Sequence, residues 1–236
     1  MSISKTIMSA LFPDTCAVCG AVLREDGYFC EYCHEMLETT AGVKSCSKCG
    51  LPKKNCDCSK YIFRFDGCTA PFYYDETAKR AMYAFKFRGK RQLGKMFARQ
   101  MALCVKQNYY DISFDIICSV PMRRIDKFRR GYNQSEVLAS ELSSILQIPF
   151  ANKLLGCKKK KHTQHKLPHK KRFDNVKDKY FCNYKVTGKN ILLVDDIKTT
   201  GATLDECAKQ LLASGADRVY CVTGLLTKHD RKRNDK

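Results

Sequence analysis

Two adjacent carboxylates, Asp195 and Asp196, are followed almost at once by a turn of hydroxyl-bearing and small residues, Thr199-Thr200-Gly201-Ala202-Thr203. Backbone N–H groups and threonine hydroxyls at the start of a helix can hold a phosphate, and the helix dipole favours that anion. The carboxylates cannot bind the same phosphate, so they must face sugar hydroxyls or a metal. An apolar strand ending in Asp-Asp also occurs as a Walker B element or as a magnesium site in other α/β folds. The chain contains no G-x-x-x-x-G-K-[ST], so the Walker alternative lacks its partner.

The elements that must position this chemistry can be read around it. Ile191 to Val194 is a continuous apolar, partly β-branched run, the pattern of a strand buried on both faces of a parallel sheet. After the turn, Leu204, Cys207, Ala208, Leu211 and Leu212 recur at helical spacing up to Gly215, a helix stop. Upstream, Gly67 to Tyr74 reads as a strand, followed by a helix with Ala78, Ala81, Met82 and Phe85 inward. A second helix carries Leu93, Met96, Phe97, Met101 and Val105. Asp115 to Pro121 is a further short strand. It delivers a basic, glycine-containing loop holding Arg123, Arg124, Arg130, Gly131, Asn133 and Gln134, and then a helix with Ser135 as its expected N-cap. Arginine binds phosphate oxygens bidentately, as pyrophosphate requires, although such a loop alone is equally a solvated surface. Asp217 to Leu226 reads as the next parallel strand. The fold class expected is α/β, a doubly wound parallel sheet.

A second set of reactive residues lies near the N-terminus. Eight of the 15 cysteines fall between Cys16 and Cys58, as Cys16-x-x-Cys19, Cys30-x-x-Cys33, Cys46-x-x-Cys49 and Cys56-x-Cys58. Each pair supplies two thiolates from a tight turn, so the eight can complete two tetrahedral Cys₄ zinc sites. Sequential pairing is expected, Cys16, Cys19, Cys30 and Cys33 in one site and Cys46, Cys49, Cys56 and Cys58 in the other. A cross-braced pairing has the same spacing, and redox cysteines are the rival chemistry. Four thiolates leave no open position, so one or two structural zinc ions are expected. Gly20 and Gly50 each follow a knuckle's second cysteine, where a left-handed residue turns N–H groups toward sulfur. His34 adjoins a ligand in the short helix expected there but is surplus to the set.

The chain of 236 residues has a formal net charge of +19, which points to an anionic partner. No apolar run approaches the ~20 residues of a membrane span, and no signal peptide is recognisable. The cysteines then read as thiolates in a reducing cytoplasm. Residues 153 to 172 hold nine Lys or Arg and no acid. Such a run suits a solvated segment or contact with a nucleic-acid backbone, and Phe128, Tyr132 and Phe173 lie near basic residues that could use them to stack bases.

The whole Asp195–Thr203 element with its preceding strand resembles the ribose-phosphate signature of type I phosphoribosyltransferases. That resemblance implies that Asp195 and Asp196 hold the ribose 2′- and 3′-hydroxyls of phosphoribosyl pyrophosphate (PRPP), bound with magnesium. Thr199, Thr200, Gly201, Ala202 and Thr203 would then wrap its 5-phosphate. Arg130-Gly-Tyr-Asn-Gln134 after Val120-Pro121, together with Leu11-Phe12-Pro13, Phe85-Lys86-Phe87-Arg88-Gly89 and the cysteine knuckles, resembles the ComF family of competence-associated proteins over nearly the whole chain. The resemblance implies a zinc module over 1–64 and a phosphoribosyltransferase-like domain over 65–236, with a basic flexible loop about 153–179. Gln164, Leu167, Arg172 and Asn175 match that family's loop, while Lys161 stands where a threonine is expected. The implied role is DNA uptake in natural transformation, handling incoming single-stranded DNA in the cytoplasm or at the inner face of the membrane, beside uptake helicase or channel proteins. Two alternatives remain. One is an active phosphoribosyltransferase making a nucleotide from an unidentified base or amine. The other is a zinc-module nucleic-acid binder with a vestigial phosphoribosyl site.

Overall fold

A computed structural model describes residues 14–25, 27–56, 58–59, 61–158 and 176–228. Its helices are α1 (Glu31–Glu35), α2 (Glu76–Phe87), α3 (Leu93–Asn108), α4 (Arg124–Arg130), α5 (Gln134–Leu146) and α6 (Ala202–Ala213). The strands are β1 (Gly67–Thr69), β2 (Phe72–Tyr73), β3 (Ile116–Ser119), β4 (Leu155–Cys157), β5 (Tyr180–Cys182), β6 (Asn190–Lys198) and β7 (Arg218–Leu226).

The main sheet is parallel and runs β1-β7-β6-β3, with β2 continuing the β1 edge against β7. The expected single strand from Gly67 to Tyr74 is therefore two short pieces. Pro71 lies in the gap between them and has no N–H to give the ladder. Ile191, Leu192, Leu193 and Val194 are fully buried, as a strand covered on both faces requires. Leu192 and Val194 pack with α2, α3 and α5 on one face, while Ile191 and Leu193 pack with Leu204, Cys207 and Leu211 of α6 on the other. That alternation makes the sheet doubly wound. β6 runs four residues further than its apolar stretch, so Asp195 and Asp196 lie within the strand rather than after it.

The cysteine-rich segment covers the β1–β2 edge, whose unpaired groups would otherwise face solvent. Thr39 bridges Phe72, the Tyr73 N–H donates to the Glu38 carbonyl, and the Cys68 N–H donates to the Ser47 carbonyl. Strands β4 and β5 form an antiparallel ribbon at either end of residues 159–175. Those residues lie outside the described ones, and with them Lys161, Gln164, Leu167, Arg172, Phe173 and Asn175. The same is true of Leu11-Phe12-Pro13.

Candidate ribose-phosphate site and zinc centres

A cavity of about 190 Å³ opens at the C-terminal end of the sheet, lined by Pro121, Arg123, Asp126, Asn133, Ser135, Lys179, Asp195, Asp196 and Thr203 among others. The elements explain the convergence. β3 and β6 are adjacent and in register, so Val120-Pro121 and Asp195-Asp196 leave the sheet side by side. Asn133 then ties the two ends together. Its Nδ2 donates to the Val120 carbonyl at 3.1 Å, and its Oδ1 accepts from the Ser135 N–H at 3.1 Å. Asn133 is thus the N-cap of α5, not Ser135 as expected. Freed from capping, the Ser135 hydroxyl donates to Asp195 Oδ1 at 2.8 Å, and the Asp196 N–H donates to the same oxygen at 2.9 Å.

The acidic pair is electrostatically tense. Burial, together with the neighbouring Asp196 charge, pushes Asp195 up to about 7, while the Ser135 hydroxyl, the Asp196 N–H and Lys86 pull it the other way. Lys86, in the last turn of α2, places Nζ 2.6 Å from Asp196 Oδ2, with both side chains about 15% exposed. On the opposite wall Arg123 forms a 2.6 Å pair with Asp126.

The turn after β6 is held from beneath. Gly201 has φ +84° and caps α6, and a Cβ there would stand 2.9 Å from the Phe63 ring and 3.2 Å from the Lys198 chain. The Thr200 hydroxyl accepts from the Ala202 N–H at 3.3 Å. One turn on, the Asp205 carboxylate accepts from the Arg64 backbone N–H at 2.5 Å and from its guanidinium at 2.7 Å.

Of the residues singled out from sequence, Asp195, Asp196, Thr203, Pro121, Arg123 and Asn133 share the cavity wall, and Thr199, Thr200, Gly201 and Ala202 form the turn beside it. Arg124, Arg130, Gly131 and Gln134 are not on that wall. The stretch expected as a basic loop is the short helix α4, with no buried residue. Arg130 stacks over the Phe87 ring at 5.0 Å and reaches Gln134 Oε1 at 3.4 Å. Sequence reasoning missed Lys86, Asp126, Ser135 and Lys179 as site groups. Lys86 lies in a stretch that carries the family resemblance, and from sequence Ser135 is expected only as a helix cap.

The cysteines gather in two groups, Cys16, Cys19, Cys30 and Cys33, and Cys46, Cys49, Cys56 and Cys58. This is the sequential pairing. Sγ–Sγ separations of 3.7 Å for Cys19–Cys30, 3.8 Å for Cys46–Cys58 and 3.7 Å for Cys49–Cys56 fit a zinc tetrahedron, because bonds of about 2.3 Å give edges of about 3.8 Å. Both sites use the same local fold. The Gly20 N–H donates to the Cys16 carbonyl and the Gly50 N–H to the Cys46 carbonyl, with both glycines left-handed at φ +79° and +78°. The donor set is that of a closed structural zinc centre.

Residues 7–62 match the family model described as a double zinc ribbon domain. Competence protein F of Haemophilus influenzae is 28% identical over 201 residues, covering 80% of this chain and 86% of that protein. DNA utilization protein YhgH of Escherichia coli K12 is 27% identical over 212 residues, covering 88% of each. Competence protein ComFC of Bacillus subtilis is 27% identical over 204 residues, covering 82% of each. Among solved structures, adenine phosphoribosyltransferase from Saccharomyces cerevisiae matches with TM-score 0.39 and 15% identity over 60% of this chain and 72% of that one. Purine phosphoribosyltransferase from Pyrococcus horikoshii matches with TM-score 0.37 and 16% identity, over 56% and 85%. No helix among the described residues is long and apolar enough to cross a membrane.

Proposed function

We propose that this homologue of competence and DNA-utilisation proteins binds PRPP or a related ribose phosphate at the end of β6. We further propose that it serves DNA uptake by handling incoming single-stranded DNA in the cytoplasm, beside helicase or channel components of the uptake machinery. The observation that carries the ligand is the meeting, around one cavity, of a paired carboxylate and a hydroxyl-rich turn at a helix N-terminus with two cations, Arg123 and Lys179.

Each group has a role that its chemistry supports. The Thr199–Thr203 turn offers N–H groups and hydroxyls to the 5-phosphate. Asp195 and Asp196 accept from the ribose hydroxyls, with Ser135 fixing the orientation of Asp195. Arg123 and Lys179 meet the pyrophosphate, and Arg123 must exchange Asp126 for phosphate to do so. Paired carboxylates facing a phosphorylated ligand fit magnesium, which binds through one or two carboxylates plus substrate phosphates. When bound, that ion neutralises charge on pyrophosphate. Lys86, now paired with Asp196, would be released toward the ligand if the ribose hydroxyls took over that carboxylate. The zinc ribbons hold the edge of the sheet and leave the ribose site its own chemistry.

Thermal melting with PRPP and magnesium tests the ligand. At one hundred times Kd the gain is about 2.7 kcal/mol. For a chain of this size that raises Tm by about 5–10 °C. Asp195→Asn with Asp196→Asn should abolish the rise, and the absence of any rise in the native chain refutes the ligand.

A further inference from the structure

The outer face of α2 carries two aromatic rings that no core requires. Tyr83 and Phe87 lie four residues apart, so they share one face, and each is 52% exposed. Their ring centroids are 4.9 Å apart. A guanidinium flanks each of them. Arg88 lies over the Tyr83 ring at 5.7 Å, and Arg130, arriving from α4, lies over Phe87 at 5.0 Å. The result is a continuous row, Arg88–Tyr83–Phe87–Arg130, built from two helices. Phe128 projects from α4 as well, 90% exposed. From Tyr83 to Arg91 the chain has four cations and no acid.

We propose that this row is the docking surface for single-stranded DNA, with unpaired bases stacking on Tyr83 and Phe87 and backbone phosphates meeting Arg88 and Arg130. The inference rests on the nucleic-acid half of the function proposed above and names where that strand lies. Three physical features favour this occupant. Exposed rings interleaved with arginine are what a single strand needs, since every base has a π-face and every nucleotide a charge. Planar guanidinium groups add stacking surface of their own. A duplex keeps its bases within the stack and offers the rings nothing. The two helices that build the row also reach the ribose-phosphate cavity. Lys86, next to Phe87, pairs with Asp196, and Arg123, just before α4, lines the cavity wall.

The test is anisotropy of a labelled oligothymidylate with the full, zinc-loaded chain across a salt series. Tyr83→Ala with Phe87→Ala should weaken single-strand binding by about thirtyfold or more, since two stacked bases are lost. The slope of log affinity against log salt should stay unchanged, because no charge is removed. Arg88→Ala with Arg130→Ala should instead reduce that slope by about 1.4, or about 0.7 per phosphate contact. The double ring variant should keep the native Tm, zinc content and PRPP response, since the rings lie outside the core. The proposal is overturned if that variant binds oligothymidylate as tightly as the native chain, or loses duplex affinity to the same extent. Tighter binding of oligouridylate, or loss of anionic-vesicle binding with oligothymidylate binding intact, also overturns it by naming RNA or a membrane as the occupant. If the native chain itself binds no oligothymidylate at low salt, the DNA role proposed above fails as well. If it binds and the ring variant is unaffected, only this surface is wrong.

Discussion

Lys86→Met separates the electrostatics of the acidic pair from ordinary packing. In the native chain burial and Asp196 hold the Asp195 carboxyl at about 7, against an ordinary value of 3.8. The folded value lies above the unfolded one, so the fold favours the neutral acid. The stability this confers is fully present below about pH 4 and is lost as pH rises through 7. The whole interval amounts to at most about 4 kcal/mol. Lys86 acts against that loss, with Nζ 2.6 Å from Asp196 and an attraction that also lowers Asp195. Methionine preserves most of the volume and removes the charge, driving Asp195 higher and extending the loss above pH 7. Breaking a fully buried pair costs about 3–5 kcal/mol. With these side chains about 15% exposed we expect roughly 2–3 kcal/mol at pH 8, falling toward acid as Asp195 takes up its proton. The deficit in Tm should therefore widen from pH 4 to pH 8, where it reaches about 5–10 °C. Circular dichroism melts across that range, repeated on an Asp195→Asn background that flattens the dependence, provide the measurement. A deficit that is constant with pH, or largest in acid, refutes the reasoning.

Other substitutions probe the supports of the site. Gly201→Ala places a Cβ 2.9 Å from the Phe63 ring at φ +84°, so it should cost about 1–3 kcal/mol and remove the PRPP-dependent rise in Tm. Asp205→Ala should destabilise by about 2 kcal/mol because it orphans the Arg64 N–H and removes the partner of its half-exposed guanidinium. Arg64→Ala, which leaves the backbone bond in place, should cost about 1 kcal/mol, and urea melts distinguish the two. Metal analysis should find about two zinc ions per chain, and Cys49→Ser, at a fully buried ligand, should remove one of them and lower Tm; an unchanged count excludes zinc at the second centre.

What was legible in the sequence was whatever is written in local spacing. The knuckles encode their tetrahedra because both thiolates of a pair come from one turn, and the left-handed glycines follow from the same turn. The apolar run of β6 and the helical stripe of α6 encode the layer around Asp195. Groups brought together by tertiary contact were not legible. Lys86 and Asp196 meet only because the last turn of α2 ends above the C-terminal end of β6. Ser135 looked like a cap because it is the residue type caps favour, yet Asn133 captured the helix from two residues earlier and left the serine hydroxyl for Asp195. α4 looked like a loop because none of its side chains is buried and hydrophobic periodicity had nothing to register. Lys179 belongs to no motif at all.

The order of the chain also has a physical reading. The second zinc centre ends at Cys58, and only a few residues later Phe63 lies against Gly201, Arg64 holds Asp205 and Phe65 is fully buried. The turn that would wrap a phosphate is therefore supported on its inner side by the chain leaving the zinc centre. A glycine at φ +84° and a helix start are conformations a free loop would abandon, and a phosphate cradle is useful only if its N–H groups already converge. A closed Cys₄ centre cannot supply catalysis, but it can fix the position of the residues that follow it. In this chain those residues are the floor of the turn after β6. The zinc module and that turn thus form one structural unit, joined through Phe63 and Arg64.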